Sequence, residues 1–461
     1  MGAEWVGAEM ATLELGDPRL KQRVIRMIEL FSANPEASIP KACGNAADTK
    51  AAYRALSSEA VSAEEIRLAH ARAASERAAG FKRVLVEQDS TGLSLGDSDS
   101  RMLGLGPMGG SGGQRGLFVH SALMSTIEGV PLGIVSQQVW AREDAAEKRG
   151  TRRKRLIEEK ESFRWLETVD AVESLLPHEV EVWISGDREA DIFELFAMPR
   201  RPGVELVVRA THERKLAGEG FGYLHAAVEA AAVVGEMQVH VPRSRKRKER
   251  TAALEVRACT VTLEPPRNHL GRGDLSPVCV SVVRVRETRT VPEGEAPIEW
   301  MIITTVAVHG LEEAMEVVHA YAQRWKVERY HYVLKSGCGM EDLQLADADR
   351  IERALALYNV VAWRLLYMTY VARVAPELPC TAVLEEDEWK ALYVVGSTRP
   401  RALPEKPPTV REAVRMIAML GGFMGRKRDG EPGVQSLWTG FRRLMDFTIA
   451  LRRLLLSTSC G

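Results

Sequence analysis

Two runs of β-branched residues, each ending in an aspartate, constrain the fold more than any other feature of the chain. "RVLVEQD" ends at Asp89, and "EVEVWISGD" ends at Asp187. Strands that alternate with helices form α/β sheets, and open sheets of this class place their functional groups beyond the carboxyl ends of their strands. The sequence therefore predicts an α/β sheet with an acid at the end of two strands.

Further patterns extend this sheet on both sides. "GLFVHSALMSTI", "VPLGIVSQQVW", "VELVVRA" and "EWMIITTVAV" are typical of strands, whereas a charged segment from Arg152 to Leu175 and "DIFELFAM" favour helices. The region from about 211 to 299 alternates Val and Thr with polar residues and carries the basic run "RSRKRKER". We interpret that region as an all-β insertion.

Both ends of the chain have helical patterns. "DPRLKQRVIRMIELF" begins with Asp17 as a cap and Pro18 at the first helical position. Its basic face either binds DNA or is simply solvated. After a Pro-rich linker, the last helix presents an apolar face that either packs within the chain or meets a partner; its members are Leu444, Phe447, Leu451, Leu454 and Leu455.

Composition excludes several classes of protein. The 461 residues are 45% apolar, enough for more than one domain, and 62 basic residues nearly balance 63 acidic ones. No run of about 18 uncharged apolar residues is present, so we expect no membrane partner. The N-terminus lacks a secretory pattern and the six cysteines form no C-x-x-C pair, which favours reduced thiols in the cytoplasm.

The stretch "YAQRWKVERYHYVLK" has an unusual polar pattern. On an ideal helix at about 100° per residue, Tyr321, Arg324, Glu328 and Lys335 fall at roughly 0°, 300°, 340° and 320°. One acid, two cations and a phenol would therefore share a narrow stripe. Such a stripe suits a helix that faces a nucleic-acid phosphate.

Three carboxylates from distant segments, Asp89, Asp187 and Glu328, could together hold two divalent cations about 4 Å apart for phosphodiester chemistry. Oxygen ligands favour Mg²⁺ or Mn²⁺ over Zn²⁺. Each acid also has a simpler interpretation. An aspartate at a strand end is often a turn former or a helix cap, and a helical glutamate among cations is often a surface pair.

The spacing Y-(2)-R-(3)-E-(6)-K from Tyr321 to Lys335 resembles the signature of IS4-family transposases. "DSTGLSLG" and "GDREADI" resemble the two aspartate motifs of that family, and "GDPR", "AYR", "VSAEEIR", "VHS" and "LGGFM" also match. The resemblance implies an RNase H-like catalytic core at 76–375 with the β insertion inside it. It also implies a DNA-end-binding helical domain at 1–75 and a helical dimerisation domain at 376–461.

The resemblance also implies roles for single residues. Asp89, Asp187 and Glu328 would be the catalytic and metal-binding DDE triad. The remaining residues would contact DNA: Tyr321, Arg324 and Lys335 at a 5′ phosphate, Trp300 stacked on a flipped base, Trp325 expelling that base, Arg188 and Arg209 at phosphates, and Arg23 and Arg54 in the end-binding domain. For Trp300 the alternative is an ordinary tryptophan in the core.

The reaction implied is cut-and-paste transposition through a DNA hairpin, with two metal ions in each active site. The partners would be the terminal inverted repeats, target DNA and a second copy of the chain. Two other functions stay open, namely another RNase H-like nuclease such as a junction resolvase, and a non-catalytic end-binding inhibitor. The presence of all three acids favours an enzyme.

Overall fold

The structure is a computed structural model that describes residues 4–97, 101–109, 113–144, 155–218, 220, 222–241, 248–267, 275–288, 291–396, 402–426 and 429–458. Side chains of 453–458 are not described, so Leu454 and Leu455 lie outside the described set. Most of the basic run (243–247) and part of the Pro-rich linker (398–401) also lie outside it.

Helices and strands alternate through the middle of the chain and helices dominate both ends. The described α-helices are α1 (Glu4–Glu9), α2 (Pro18–Ala33), α3 (Ile39–Cys43), α4 (Ala46–Leu56), α5 (Ala63–Ala78), α6 (Arg164–Leu175), α7 (Phe193–Ala197), α8 (Leu224–Ala230), α9 (Leu311–Gln323), α10 (Trp325–Tyr332), α11 (Ala348–Val374), α12 (Glu386–Val395), α13 (Val410–Leu420) and α14 (Val434–Thr458). The described strands are β1 (Arg83–Gly96), β2 (Gly106–Pro107), β3 (Arg115–Thr126), β4 (Pro131–Trp140), β5 (Glu181–Gly186), β6 (Val204–Arg209), β7 (Val233–Val241), β8 (Arg250–Leu263), β9 (Val278–Glu287) and β10 (Glu299–Thr304).

The chain divides into two compact units. The first comprises Met1–Gly80, Ser90–Asp144 and Val327–Gly461, and the second comprises Phe81–Asp89 and Ala145–Lys326. The divisions therefore fall at Gly80/Phe81, within β1 at Asp89/Ser90, at Asp144/Ala145 and within α10 at Lys326/Val327. As functional domains, the segments 1–75, 76–375 and 376–461 stay a prediction.

The second unit is built on a mixed sheet. The start of β1 pairs in parallel with β5, and β5 pairs in parallel with β6. Strand β10 then pairs antiparallel with β6, and β9, β8 and β7 continue the sheet antiparallel. Helices α6 and α7 precede the two parallel strands β5 and β6, so the predicted α/β class is confirmed for this unit.

The insertion at 211–299 is not all-β. It contains α8 between β6 and β7, because the alanine-rich segment "LHAAVEA" has high helix propensity and little β-branching. Its strands β7–β9 also do not form a separate domain, since β9 hydrogen-bonds directly to β10 of the main sheet. The insertion therefore widens the sheet of the second unit.

The first unit combines helices with the antiparallel strands β2, β3 and β4. Its central helix α11 is the one described helix that has the length and apolar composition to cross a membrane, but 89% of its most apolar window is buried in the protein. That burial is typical of a core helix. The aromatic rings of Phe31 from α2 and Tyr358 from α11 stack at 4.9 Å between centroids.

The terminal helices form largely as predicted. Asp17 caps α2 by accepting a hydrogen bond from the backbone N–H of Arg19, with Pro18 at the first position. In α14, however, Leu444 is fully buried in the core of its own unit, while Phe447 is 45% exposed. Part of the apolar face predicted to meet a partner therefore packs within the chain.

Candidate active site

The two aspartates lie where the pairing of β1 with β5 ends. Asp89 lies within β1, which continues to Gly96, so the prediction that this strand ends at Asp89 is wrong, whereas Asp187 directly follows the end of β5. Glu87 of β1 is opposite Ser185 of the parallel strand β5, so two residues further along Asp89 comes opposite Asp187. Asp187 keeps an extended backbone beyond the end of β5. Neighbouring strands are about 4.8 Å apart, and both side chains are half-buried. The register of the two strands therefore predicts that the two carboxylates are neighbours.

The row continues onto β6. Gly186 is opposite Val208, which brings Arg209 opposite Asp187. The Arg209 guanidinium donates a hydrogen bond of 3.1 Å to the carbonyl of Glu299. Three strands thus present an acid, an acid and a cation in order across the sheet.

This row continues an apolar face that carries α9. Alternate residues of a strand share a face. The residue four positions before the row in β1 and in β5, and two positions before it in β6, belongs to the buried cluster that also holds α9 side chains; these residues are Leu85, Trp183 and Val207. Packing of α9 on this face brings the end of the helix toward the acids. The apolar core thus positions the polar site.

Two basic residues at the end of α9 and the start of α10 reach β1. The guanidinium Nη1 of Arg324 lies 3.9 Å from Oδ2 of Asp89, and Nζ of Lys326 lies 3.8 Å from Oε1 of Glu87. Burial lowers the pKa of the Lys326 ammonium, although the Glu87 carboxylate acts in the opposite direction. Arg324, which the sequence assigns to the site, is thus brought to the first aspartate.

Aromatic residues line the same face. Trp300 of β10 is half-buried and meets Tyr321 edge-to-face, with 5.2 Å between ring centroids. Tyr321 is only 2% exposed. Trp325, in contrast, is 53% exposed and lies 5.3 Å from the Arg324 guanidinium.

The long helix predicted from Tyr321 to Lys335 is interrupted twice. Arg324 separates α9 from α10. Its backbone N–H donates a 3.0 Å hydrogen bond to the carbonyl of Tyr321, three residues earlier, which makes a tighter turn than that of an α-helix. A π-helical turn follows at Val333–Gly337. The ideal angle predicted for Lys335 is therefore wrong, because a π-turn carries more residues per turn than an α-helix.

Glu328 and Lys335 belong to the first unit. Glu328 is half-buried in the first turn of α10. Lys335 donates a hydrogen bond of 2.7 Å to the carbonyl of Gly92 and lies 3.4 Å from Oε1 of Glu341.

A buried polar network that sequence reasoning missed fixes α10 within the first unit. The hydroxyl of Tyr330 donates to Oδ1 of Asn359 at 2.5 Å, and Nε2 of Gln137 donates to the same oxygen at 2.9 Å. The amide of Asn359 donates back to Oε1 of Gln137 at 2.6 Å. The one signal in the sequence is a lone polar residue, Asn359, inside the apolar run "ALYNVVAW".

The helix-cap interpretation of Asp187 holds in the structure. Its Oδ1 accepts a 2.8 Å hydrogen bond from the N–H of Glu189 at the start of a 3₁₀ turn. The neighbouring acid of the same motif, Asp191, is instead buried in an ion pair with Arg214. Across the described residues, no group of three or more His, Cys, Asp or Glu side chains is positioned to hold a metal ion. The metal assignment stays a prediction.

The remaining predicted DNA contacts lie at the surface. Arg54 of α4 and Arg188 after β5 are exposed. Arg23 of α2 is partly exposed and lies 3.6 Å from Asp48. Their roles in DNA binding also stay predictions.

Comparison with known protein families agrees with the terminal patterns. The family model described as Transposase DNA-binding matches residues 2–61, and the Transposase Tn5 dimerisation domain matches residues 360–457. The chain resembles Tn5-like transposases. The matches cover α1–α4 with Arg23 and Arg54 at one end, and the second half of α11 through most of α14 at the other. Each match likens one end of the chain to one domain of such transposases, a DNA-binding domain at the N-terminal end and a dimerisation domain at the C-terminal end.

Among solved structures, a piggyBac transposase synaptic complex with hairpin DNA is similar at a TM-score of 0.31 and 8% sequence identity. The alignment covers 64% of this chain and 53% of that one. A likeness at this level carries no argument about fold or mechanism.

Proposed function

We propose that this protein is a DNA transposase with an RNase H-like catalytic core, and that Asp89, Asp187 and Glu328 cut and rejoin transposon DNA. The observation that carries the proposal is the register of the parallel strands β1 and β5, which brings Asp89 opposite Asp187 two residues beyond the last printed pair, with Arg324 beside Asp89. This arrangement supplies metal-binding oxygens and a phosphate-binding cation in one place.

The donor set fits hard divalent cations. Asp89, Asp187 and Glu328 would hold two Mg²⁺ or Mn²⁺ ions, which prefer carboxylate oxygen. Glu328 is assigned from the sequence, where it follows Arg324 by four residues. A bound metal pair activates the attacking oxygen and stabilises the leaving one. Oδ1 of Asp187 also serves its helix cap, and a carboxylate has lone pairs for both tasks.

The chain's own residues bind and orient the DNA. Arg324, Lys335 and Tyr321 would hold the 5′ phosphate of the non-transferred strand, and contact by the buried Tyr321 hydroxyl depends on a local opening of its cluster. Trp300 would stack on a flipped base, with the exposed Trp325 helping to expel it. The other cations would bind phosphates: Arg188 and Arg209 near the site, and Arg23 and Arg54 in the N-terminal helices.

The proposed reaction is cut-and-paste transposition. Water hydrolyses one phosphodiester bond and leaves a 3′-OH and a 5′ phosphate. The 3′-OH attacks the opposite strand, closes a hairpin and displaces the flanking DNA. A second water opens the hairpin, and the regenerated 3′-OH attacks target DNA. A homodimer would hold two inverted-repeat ends, and the reaction would take place on nucleoid DNA in the bacterial cytoplasm.

The experiment is cleavage of DNA carrying the inverted repeats that flank this gene, with Asp89→Asn, Asp187→Asn and Glu328→Gln variants. Asparagine also caps helices, so Asp187→Asn keeps the cap and removes the ligand charge. We expect Mg²⁺-dependent nicking to fall by roughly two to three orders of magnitude, since a metal supplies several kcal/mol, with end binding retained.

Glu189→Gln is the matched control, because Glu189 is an exposed acid two residues from Asp187. Full nicking by any site variant would refute the assignment. Nicking by the parent without strand transfer would favour an RNase H-like nuclease or resolvase instead. End binding by the parent without any nicking would favour a non-catalytic inhibitor.

A further inference from the structure

A buried ion pair lies immediately behind the row of acids in the second unit. Glu87 is 0% exposed and Lys326 is 3% exposed, with 3.8 Å between Nζ and Oε1. Lys326 also donates a hydrogen bond to Oε1 of Gln323 in the last turn of α9. Neither charged residue is accessible to DNA.

The Glu87–Lys326 pair lies next to the contact between Asp89 and Arg324 of the proposed site. Glu87 precedes Asp89 by two residues in β1 and therefore points to the same face. Lys326 follows Arg324 by two residues. Strand β1 and the α9–α10 junction are thus joined twice, once by Glu87 with Lys326 and once by Asp89 with Arg324.

We propose that Glu87 and Lys326 form a positioning pair that sets the carboxylate of Asp89 for the metal ion and the guanidinium of Arg324 for phosphate. This inference rests on the proposed function. Neither residue touches the reacting atoms, and the pair acts through the backbone of β1 and of the α9–α10 junction.

Stability alone does not account for the pair. Removing two charges from water costs free energy that their attraction often fails to recover, and buried pairs can be replaced by apolar residues with little loss of stability. Leu85, Trp183 and Val207 on the same face are apolar and packed, so methionines at 87 and 326 would suit these surroundings. A directional contact fixes the register of helix against strand more narrowly than apolar packing does.

The same strand and helix offer a matched control. Arg83, at the start of β1, pairs with Glu316 of α9 at 2.8 Å and also with Glu181 of β5 at 2.9 Å. That pair joins the same two elements but is partly exposed and lies away from the acids. Removing this control pair shows whether a general loss of packing between strand and helix weakens metal binding. An effect confined to the Glu87/Lys326 variant is then a local effect on Asp89.

The test compares Glu87→Met/Lys326→Met with Lys326→Met alone and with Arg83→Met/Glu316→Met. Thermal unfolding, Mn²⁺ affinity from titration of free Mn²⁺ by electron paramagnetic resonance, and the Mg²⁺ requirement for nicking are measured for each. We expect Lys326→Met to unfold at the lowest temperature, because it leaves the Glu87 carboxylate buried without its cation.

The double variant Glu87→Met/Lys326→Met should regain stability close to that of the parent, yet bind Mn²⁺ about 10- to 100-fold more weakly. The Arg83/Glu316 control should keep the parent affinity. Glu87→Gln/Lys326→Gln keeps side chains that can hydrogen-bond to each other, so it should weaken Mn²⁺ binding less than the methionine pair does, and it serves as the test should the methionine variant not fold. Affinity lost equally in the two double variants would contradict the directional role.

Unchanged Mn²⁺ affinity in a folded double variant would overturn the positioning role. So would an equal loss in the Arg83/Glu316 control. Failure of the proposed function looks different, since the parent would then bind no more Mn²⁺ than its Asp89→Asn/Asp187→Asn variant.

Discussion

Asn359 is the hub of the buried network that holds the helix of Glu328, and replacing it by leucine should strongly destabilise the first unit. Asn359 accepts from both Tyr330 and Gln137 and donates back to Gln137. Leucine has a similar size but no polar atoms, so the change tests hydrogen bonding more than volume.

The cost follows from which groups lose their partners. In Asn359→Leu, the Tyr330 hydroxyl loses its acceptor and Oε1 of Gln137 loses its donor. Each buried group left unsatisfied costs about 1–3 kcal/mol, so the unfolding free energy should fall by roughly 2–6 kcal/mol. In Tyr330→Phe, Asn359 still bonds Gln137, and the loss should be about 1 kcal/mol.

Urea denaturation followed by circular dichroism measures these differences, with the slope checked for each variant. Burial raises the pKa of the Tyr330 hydroxyl, so it stays a donor and the ranking should not change between neutral and mildly alkaline pH. The triple variant Tyr330→Phe/Asn359→Leu/Gln137→Leu should recover part of the loss, because these three positions then hold no unsatisfied polar group, although the buried Ser121 hydroxyl loses the hydrogen bond that it accepts from Gln137. Equal losses for the two single variants would refute the hub.

Three further predictions concern other parts of the chain. Trp300→Ala should leave first-strand nicking nearly unchanged and slow hairpin closure by about 5- to 150-fold if a stack worth roughly 1–3 kcal/mol is lost; time courses on end-labelled DNA separate the two species, and equal slowing would make Trp300 a packing residue. Phe447→Asp on the exposed side of α14 should keep single-end binding and lose paired-end complexes on native gels, with intact pairing as the contrary result. Burial raises the pKa of the Glu9 carboxyl, but the hydrogen bond and charge of His70 and the charge of Arg77 lower it further, so that the pKa is lowered overall. This carboxylate therefore stabilises the fold above its ordinary pKa of 4.5, and the stabilisation is lost as the pH falls below that value. In Glu9→Gln, the free energy of unfolding should fall less steeply as the pH is lowered below 4.5, which urea denaturation at several pH values measures. An unchanged pH dependence would assign the acid sensitivity to other groups.

The predictions from local pattern agree best with the structure. The cap of α2 depends on two adjacent residues, Asp17 and Pro18, and it forms as expected. The predicted strands before Asp89 and Asp187 also form, because β-branched propensity acts within each strand, but β1 continues past Asp89 to Gly96. The alignment of the two aspartates cannot be predicted from local sequence pattern, because it depends on pairing between strands that are far apart in the chain.

Other features depend on tertiary packing and were missed for that reason. The sequence of α14 shows an apolar residue at each helical turn, but it does not show which of them are buried. In the folded chain Leu444 is buried in the core and Phe447 is exposed. The same holds for Tyr321, whose burial depends on β10 and Trp300. For the same reason, deleting α13 and α14 would be a poor test of dimerisation, because both helices supply buried residues to the first unit.

The π-turn at Val333–Gly337 has a consequence for alignment with relatives. A π-turn is equivalent to one residue inserted into an α-helix, so the six residues between Glu328 and Lys335 do not measure the angle between them. A relative with an uninterrupted helix could direct its lysine similarly with one residue fewer. Searches that fix this spacing would pass over such relatives, and a single gap allowed between the glutamate and the lysine would recover them.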